Sequence, residues 1–342
     1  MIIYQKKLEN IFIVRYNKDE KTILWRNKMK KFLVMLLSVV AIIGLASCGK
    51  KEFGYDGTFV AFENGEKLEV AMVSVTIEKG KIAGFNIDEI QSSRKNTGTE
   101  EEPKYVSAWN EKSKKELGYF YGMHFPQAGT GPINANNVET YKTWLKDNNK
   151  LEWFEQAKLI EDAWLKNGVD SVTYSGKENA VDNVTGVTVT GDLYVRLAKE
   201  AVKNAKAGKF QAVVVSGTDL YSAHMIVDGK KIKELVIDTL QQASKETDKD
   251  FAWNAKTKQE LGYFYGMHFP AAGTGRINDG NLETYKTWLK DNNKLEWFEQ
   301  VALITDDIIK NGKDSTVDET AGVTITTTNY YKLIEKLFDY KK

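Results

Sequence analysis

Two seven-residue phrases offer the most specific chemistry in this chain. They are Asp182-Asn183-Val184-Thr185-Gly186-Val187-Thr188 and Asp318-Glu319-Thr320-Ala321-Gly322-Val323-Thr324. Each places a hydroxyl just after a glycine turn and just ahead of a segment with helical periodicity. A helix N-terminus leaves N–H groups unpaired and carries partial positive charge, so it favours a phosphate. A threonine carrying a phosphodiester there would have its anion neutralised by backbone. The other reading of Val187-Thr188-Val189-Thr190 is a plain β-strand, which those residue types favour. Recurrence of the phrase at two equivalent places, each before an amphipathic segment, weighs against that reading.

The elements that must position these threonines are themselves duplicated. Lys115–Pro126 returns almost letter for letter at Gln259–Pro270, and Glu139–Gln156 recurs unchanged at Glu283–Gln300, both displaced by 144 residues. A constant offset over two blocks marks a tandem domain rather than convergent motifs. Each copy is expected to open with a strand pair. Val73–Ile77 alternates, Glu78-Lys79-Gly80 turns and Ile82–Ile87 continues; Ala223–Val227, the turn at Asp228-Gly229 and Ile232–Ile237 repeat the plan. The polar stretch Gln91–Pro103 reads as a loop. Phe154, Ala157, Ile160 and Trp164 predict a helix stopped by Asn167-Gly168. Tyr194, Leu197, Ala198, Ala201 and Ala205 predict another, matched by Tyr330, Leu333, Ile334, Leu337 and Phe338. Thr190 or Asp192 is the expected cap of the former. Strands first and helices later, without βαβ alternation, predict an α+β unit with a mainly antiparallel sheet. The junction is expected near Gly208, giving domains at 55–207 and 208–342.

D-x-x-T-G-V-T at the end of a small α+β domain resembles the flavinylation motif of FMN-binding domains. That family includes the peripheral subunits of sodium-pumping NADH:quinone reductase and Rnf complexes, and tandem lipoproteins of extracellular electron transfer. The resemblance spans roughly Tyr55 to Lys342, and Glu116-Leu117-Gly118-Tyr119-Phe120-Tyr121-Gly122-Met123 is similar to the corresponding phrase of the tandem lipoproteins. It implies that a flavin transferase uses FAD to esterify Thr188 and Thr324 with FMN, releasing AMP. It also implies recognition of Asp182, Thr185 and Gly186, and of Asp318 and Gly322. The family's alanine before the threonine is Val187 and Val323 here, and Ala321 stands where the second motif has Ser or Thr, so Thr324 is expected to be modified less completely than Thr188.

Other residues invite weaker readings. His124 and His268 are equivalent, but in separate domains without clustered Cys or carboxylates they imply packing or stacking rather than a metal site. Tyr119, Tyr121, Phe125 and Trp153, with their repeats Tyr263, Tyr265, Phe269 and Trp297, read mainly as core, a few of them suited to stack on a flavin ring. Strict retention of the aromatic phrase places His124 and His268 near that ring as expected cofactor contacts. Gly129-Thr130-Gly131 and Gly273-Thr274-Gly275 lack the third glycine and preceding strand of a dinucleotide fingerprint. No Ser-His-Asp set, Walker loop or shared carboxylate pair supports hydrolytic chemistry.

The N-terminal segment reads as targeting. Lys28, Lys30 and Lys31 precede an apolar run from Phe32 to Ala46, too short for a stable span, and Leu45-Ala46-Ser47-Cys48 resembles a bacterial lipobox. The sole cysteine would then carry a diacyl anchor, with residues 1–47 removed and 48–54 a lipidated tether. Met29 reads as the natural start, which makes 1–28 an upstream extension. Residues 1–47 hold nine Lys/Arg against three Asp/Glu, so the formal +1 of the chain becomes −5 after cleavage. No basic stripe survives to recruit nucleic acid. The resulting expectation is a lipid-anchored protein on the extracytoplasmic face of the cell membrane. It would carry one or two covalent FMN groups and relay electrons from a membrane quinol or dehydrogenase donor to extracellular acceptors. The competing expectation is a non-redox surface lipoprotein whose duplicated domains bind a ligand or adhere; it leaves the paired Gly-Val-Thr phrases unexplained.

Overall fold

Alternating apolar residues and tight turns build the first sheet. The computed structural model describes residues 52–342 apart from 66, 67, 97, 103, 104, 175–180, 182, 190, 191, 244–252 and 316–321. The signal segment, Cys48, Asp182, Thr190, Asp318 and Ala321 therefore lie outside the described residues. Strands β1 (Gly57–Asn64), β2 (Glu69–Glu78), β3 (Lys81–Asn96) and β4 (Tyr105–Trp109) form one antiparallel sheet in sequence order. Strands β5 (Lys209–Ser216), β6 (Asp219–Asp228) and β7 (Lys231–Leu240) repeat the first three. Both copies carry a register shift at the matching place, Thr76/Ile77 and Ile226/Val227.

The β2–β3 turn puts Lys79 at φ 53° and Gly80 at φ 72°, the paired left-handed turn that suits the twist of a hairpin. Asp56 accepts from both of their amides, at 2.9 and 2.8 Å. Asp56→Ala is expected to lower stability by about 1–2 kcal/mol, the range of two partly exposed hydrogen bonds to a charged acceptor; the urea midpoint of the variant checks it, and an unchanged midpoint would show that water replaces the carboxylate fully.

Helices follow the strands in each copy. In the first they are α1 (Lys114–Leu117), α2 (Phe125–Ala128), α3 (Val138–Asp147), α4 (Trp153–Asn167) and α5 (Asp192–Ala207); in the second, α6 (Lys258–Leu261), α7 (Phe269–Ala272), α8 (Leu282–Asp291), α9 (Trp297–Asn311) and α10 (Thr328–Tyr340). Ser113 with Glu116, and Thr257 with Glu260, form reciprocal capping boxes on α1 and α6. Gly168, at φ 88°, ends α4 where the sequence expects a stop. Among the described residues no helix is long and apolar enough to cross a membrane.

The α+β class and the antiparallel sheets agree with the sequence reading. Two of its details need correction. Each copy has a third strand, β1 or β5, ahead of the expected pair. Its apolar residues do not alternate cleanly, because β1 is buried on both faces: Phe59 and Ala61 meet the helices while Val60 turns the other way. The stretch Gln91–Pro103 is also not all loop. Gln91–Asn96 continues β3 and pairs with β4, Ser92 opposite Trp109. Antiparallel backbone pairing of Ser92–Asn96 with Tyr105–Trp109 extends the strand there, and such pairing does not require an apolar pattern.

One core serves both copies. α4 lies on β3 and α9 on β7, while α5 covers β1 and β2 and also touches β5. In return α10 covers β5 and β6 and touches β1. Phe59 and Phe210, in equivalent registers, stack with ring centroids 4.4 Å apart. Asn204 of α5, nearly fully buried, donates to Val60 O at 2.9 Å and Gln211 Oε1 at 2.7 Å, one on each side of the junction. The chain's last strand-like contact pairs Lys341 with Gly57. Leu68, Val70 and Trp109 of the first copy join Val213 and Leu220 of the second in a smaller cluster on the opposite side of the sheets.

Candidate functional site

Thr188 follows a turn that only glycine makes easily. Gly186 has φ +89°, and a Cβ there would stand 3.1 Å from Leu151 Cδ1; Gly322 has φ +91° and faces Leu295 Cδ1 at 3.2 Å. Positive φ and a leucine wall together account for the motif glycine. Val187–Val189 is not a strand: it crosses as irregular backbone toward α5. Val187 and Val189 are buried and Thr188 between them is exposed, so the valines pin the segment while the threonine faces outward.

A buried glutamine seats that threonine. Gln156 Oε1 accepts from Thr188 N at 2.6 Å, Val189 N at 3.1 Å and Thr188 Oγ1 at 3.3 Å. Its amide nitrogen donates to Leu151 O at 2.9 Å. In the second copy Gln300 Oε1 receives Thr324 N at 2.7 Å, Ile325 N at 3.2 Å and Thr324 Oγ1 at 3.3 Å. Sequence reasoning missed both glutamines. The available signal was a polar residue one position from an apolar row of α4 and α9, kept at the end of an unchanged repeat block.

Beside Thr188 lies a cleft of about 510 Å³ between β2–β3, α5 and the aromatic phrase. Tyr121, Met123, Trp153 and Tyr194 supply its apolar surfaces, and Lys114 and Glu89 its buried charges. Lys114 Nζ pairs with Glu89 Oε1 at 2.9 Å and lies 5.1 Å from the Tyr121 ring centre and 5.4 Å from that of Trp153. Tyr194 Oη donates to Glu89 Oε2 at 2.8 Å. Burial first, and then the Glu89 carboxylate, hold the Tyr194 hydroxyl far above the usual phenol range. The other carboxylates of the cleft also have donors. Glu63 binds Arg196, Glu69 receives Gln91 Nε2, and Asp192 accepts from Leu193 N at the start of α5. Asp192 thus occupies the helix start that the sequence reading reserves for a phosphate.

The aromatic phrase divides its labour. Tyr121 and Met123 line the cleft. Tyr119 instead donates to Glu155 at 2.8 Å, and burial with that carboxylate pushes its hydroxyl up to about 12. His124 Nε2 sits 3.2 Å from Leu151 O, its ring 6.3 Å from that of Trp144; His268 repeats this with Leu295 O and Trp288. The histidines hold the loop behind the phrase, and the cleft wall is made by their neighbours. Thr185, Gly186 and Gly322 are solvent-exposed beside their threonines. Phe125 and Phe269 begin α2 and α7, and Trp297 repeats Trp153 next to Tyr265 and Tyr330.

An isoalloxazine ring is a polar-edged apolar plate, and a cleft with Tyr, Trp and Met surfaces and one buried cation fits such a ligand in size and character. An attachment point at an exposed threonine on the rim leaves an ester's phosphate at the solvent edge. The residues present therefore fit a flavin tethered at Thr188.

No family model and no curated protein matches this chain. Among solved structures, a solution NMR structure from Clostridium thermocellum is similar over 44% of this chain and 92% of its own, at 19% identity and a TM-score of 0.25. That likeness is too slight to carry an argument about fold or function.

Proposed function

We propose that this chain is a lipid-anchored, extracytoplasmic electron-transfer protein that carries FMN esterified to Thr188 and Thr324. The observation that supports it best is the shared construction of the two threonine segments. Each has a left-handed glycine, a threonine exposed to an outside enzyme, and a buried glutamine holding the threonine's backbone. A surface adhesin has no use for two identical seats of this kind. In attachment, the threonine Oγ–P bond forms as the pyrophosphate P–O bond of FAD breaks; AMP leaves and the hydroxyl proton goes to solvent or a base of the transferase. Flavin supplies the redox chemistry once bound. The chain's residues exclude water from the ring through Trp153 and Tyr194, and tune it through Lys114 and Glu89. Electrons are proposed to arrive from a membrane quinol or dehydrogenase and leave to extracellular acceptors, with Cys48 as the membrane anchor.

Thr188→Ala, made in protein co-expressed with a flavin transferase, is expected to remove one FMN mass increment from the intact protein. Folding should be unaffected, because the Gln156 contacts to backbone remain. An intact mass identical in flavin content to the parent would sink the assignment of Thr188.

A further inference from the structure

The three aromatic walls of the first cleft recur in the second repeat with the same spacing. Tyr121 and Trp153 have ring centres 6.4 Å apart, as do Tyr265 and Trp297. Trp153 and Tyr194 are 6.3 Å apart, and Trp297 and Tyr330 6.2 Å. What differs is the strand that faces those rings. Ala71 of β2 lies opposite Glu63 and Glu89; its register equivalent on β6 is Tyr221, opposite Val214 and Thr239. Ala71 lines the cleft of about 510 Å³ beside Thr188, where its methyl group leaves the space in front of it open. Tyr221 extends into the corresponding space. Its ring meets that of Tyr330 edge-on with centres 5.8 Å apart, and it shares a hydrogen bond with Asn329, the counterpart of the cleft-lining Leu193.

Two further differences run the same way. Glu89, a polar wall of the first cleft, becomes Thr239, which is fully buried. The β1–β2 connection runs from Asn64 to Glu69 and places Gly65 and Glu69 in the cleft wall, whereas β5 ends at Ser216 and β6 begins at Asp219. Protein interiors are packed to crystal-like density, so space held by a side chain is closed to a ligand until that side chain moves. A phenol ring has the flat apolar faces of a fused aromatic ligand, and edge-to-face packing on Tyr330 is one of the favoured arrangements for such rings. One exchange, alanine for tyrosine, therefore accounts for an open site in the first repeat and a filled place in the second.

We propose that the residue at the Ala71/Tyr221 position decides which repeat encloses a planar aromatic ligand: Ala71 leaves the first cleft open to it, and Tyr221 stands in the corresponding place of the second repeat as a built-in occupant. The inference rests on the flavin reading above for the class of ligand. It divides the chain into one enclosing site and one closed one. A flavin esterified to Thr188 is then shielded by Trp153 and Tyr194, while one esterified to Thr324 stays outside the fold, within reach of solvent and of other proteins.

The test is titration of the full chain, made without a transferase, with free FMN, followed by quenching of the flavin fluorescence. The parent should take up one equivalent, Ala71→Tyr none and Tyr221→Ala two. A site gained in Tyr221→Ala cannot come from unfolding, so that variant decides the matter even if Ala71→Tyr does not fold; circular dichroism shows whether it does. No uptake by the parent, two equivalents in the parent, or a count unchanged by Tyr221→Ala overturns the proposal. One equivalent retained by a folded Ala71→Tyr overturns it as well. The reading of Thr188 as an attachment point fails on a separate result, an intact mass without FMN after co-expression with a transferase, so the two failures are distinguishable.

Discussion

Replacing Gln156 with leucine is expected to abolish modification at Thr188 while leaving Thr324 as an internal control. Leucine has a similar volume but no acceptor, so Thr188 N and Val189 N lose their partner, while Leu151 O loses Gln156 and keeps His124 Nε2 at 3.2 Å. Each buried polar group left unpaired costs roughly 1–3 kcal/mol. The segment Val187–Val189 recovers most of that by leaving its seat, since it is otherwise held by two valine side chains and the turn bond from Val187 N to Val184 O at 3.2 Å. The total loss of stability should therefore stay near 2–3 kcal/mol, with the larger consequence being a threonine presented in many conformations. Peptide mass spectra of the two threonine segments measure occupancy directly. Full occupancy at Thr188 in this variant would show that the transferase itself orders the segment and that the glutamine is only structural.

Glu152→Ala is expected to be the most damaging single change in the first repeat, at about 3–5 kcal/mol. Its carboxylate is fully buried without a lysine or arginine beside it among the described residues. Instead it is held by donors: Tyr141 Oη at 2.5 Å, Trp153 N at 2.8 Å and Met123 N at 3.1 Å. Those donors belong to α3, α4 and the aromatic phrase, so one side chain fastens three segments. Glu152 is also the N-cap of α4. Alanine leaves three buried donors unpaired and opens a cavity between the segments, which frees Met123 from the cleft wall. Glu152→Gln keeps one acceptor and should lose less. Urea unfolding of both variants distinguishes these expectations; a loss under 1 kcal/mol for alanine would mean that water satisfies the three donors. Glu296 holds Tyr285, Trp297 and Met267 in the same way and supplies an independent repetition of the experiment.

Some of this was legible in the residues. The duplication, the α4 and α5 helices and their buried faces follow from spacing alone. Ala157, Ile160 and Trp164, and Leu197, Ala198 and Ala201, are all buried as their periodicity requires. The glycine of each threonine phrase was recognisable as a turn. Less legible was the purpose of polar residues inside apolar rows. Gln156, Glu152 and Glu89 look like solvent-facing positions until the donors they meet are known, and those include Thr188 N, 32 residues from Gln156, Met123 N, 29 residues from Glu152, and Tyr194 Oη, 105 residues from Glu89.

A local pattern reports which face of an element avoids water, because hydrophobic burial is additive along a helix or strand and needs no knowledge of the partner. That is why the sequence by itself determined the repeat, the α+β class and the location of both threonine phrases. Hydrogen bonds and ion pairs are pairwise, and their worth depends on what stands opposite in a low-dielectric interior. Only the tertiary structure could therefore decide that Gln156 and Gln300 seat the threonines, that Phe59 and Phe210 join the copies in one core, and that Lys114 has a carboxylate where Lys258 has a threonine.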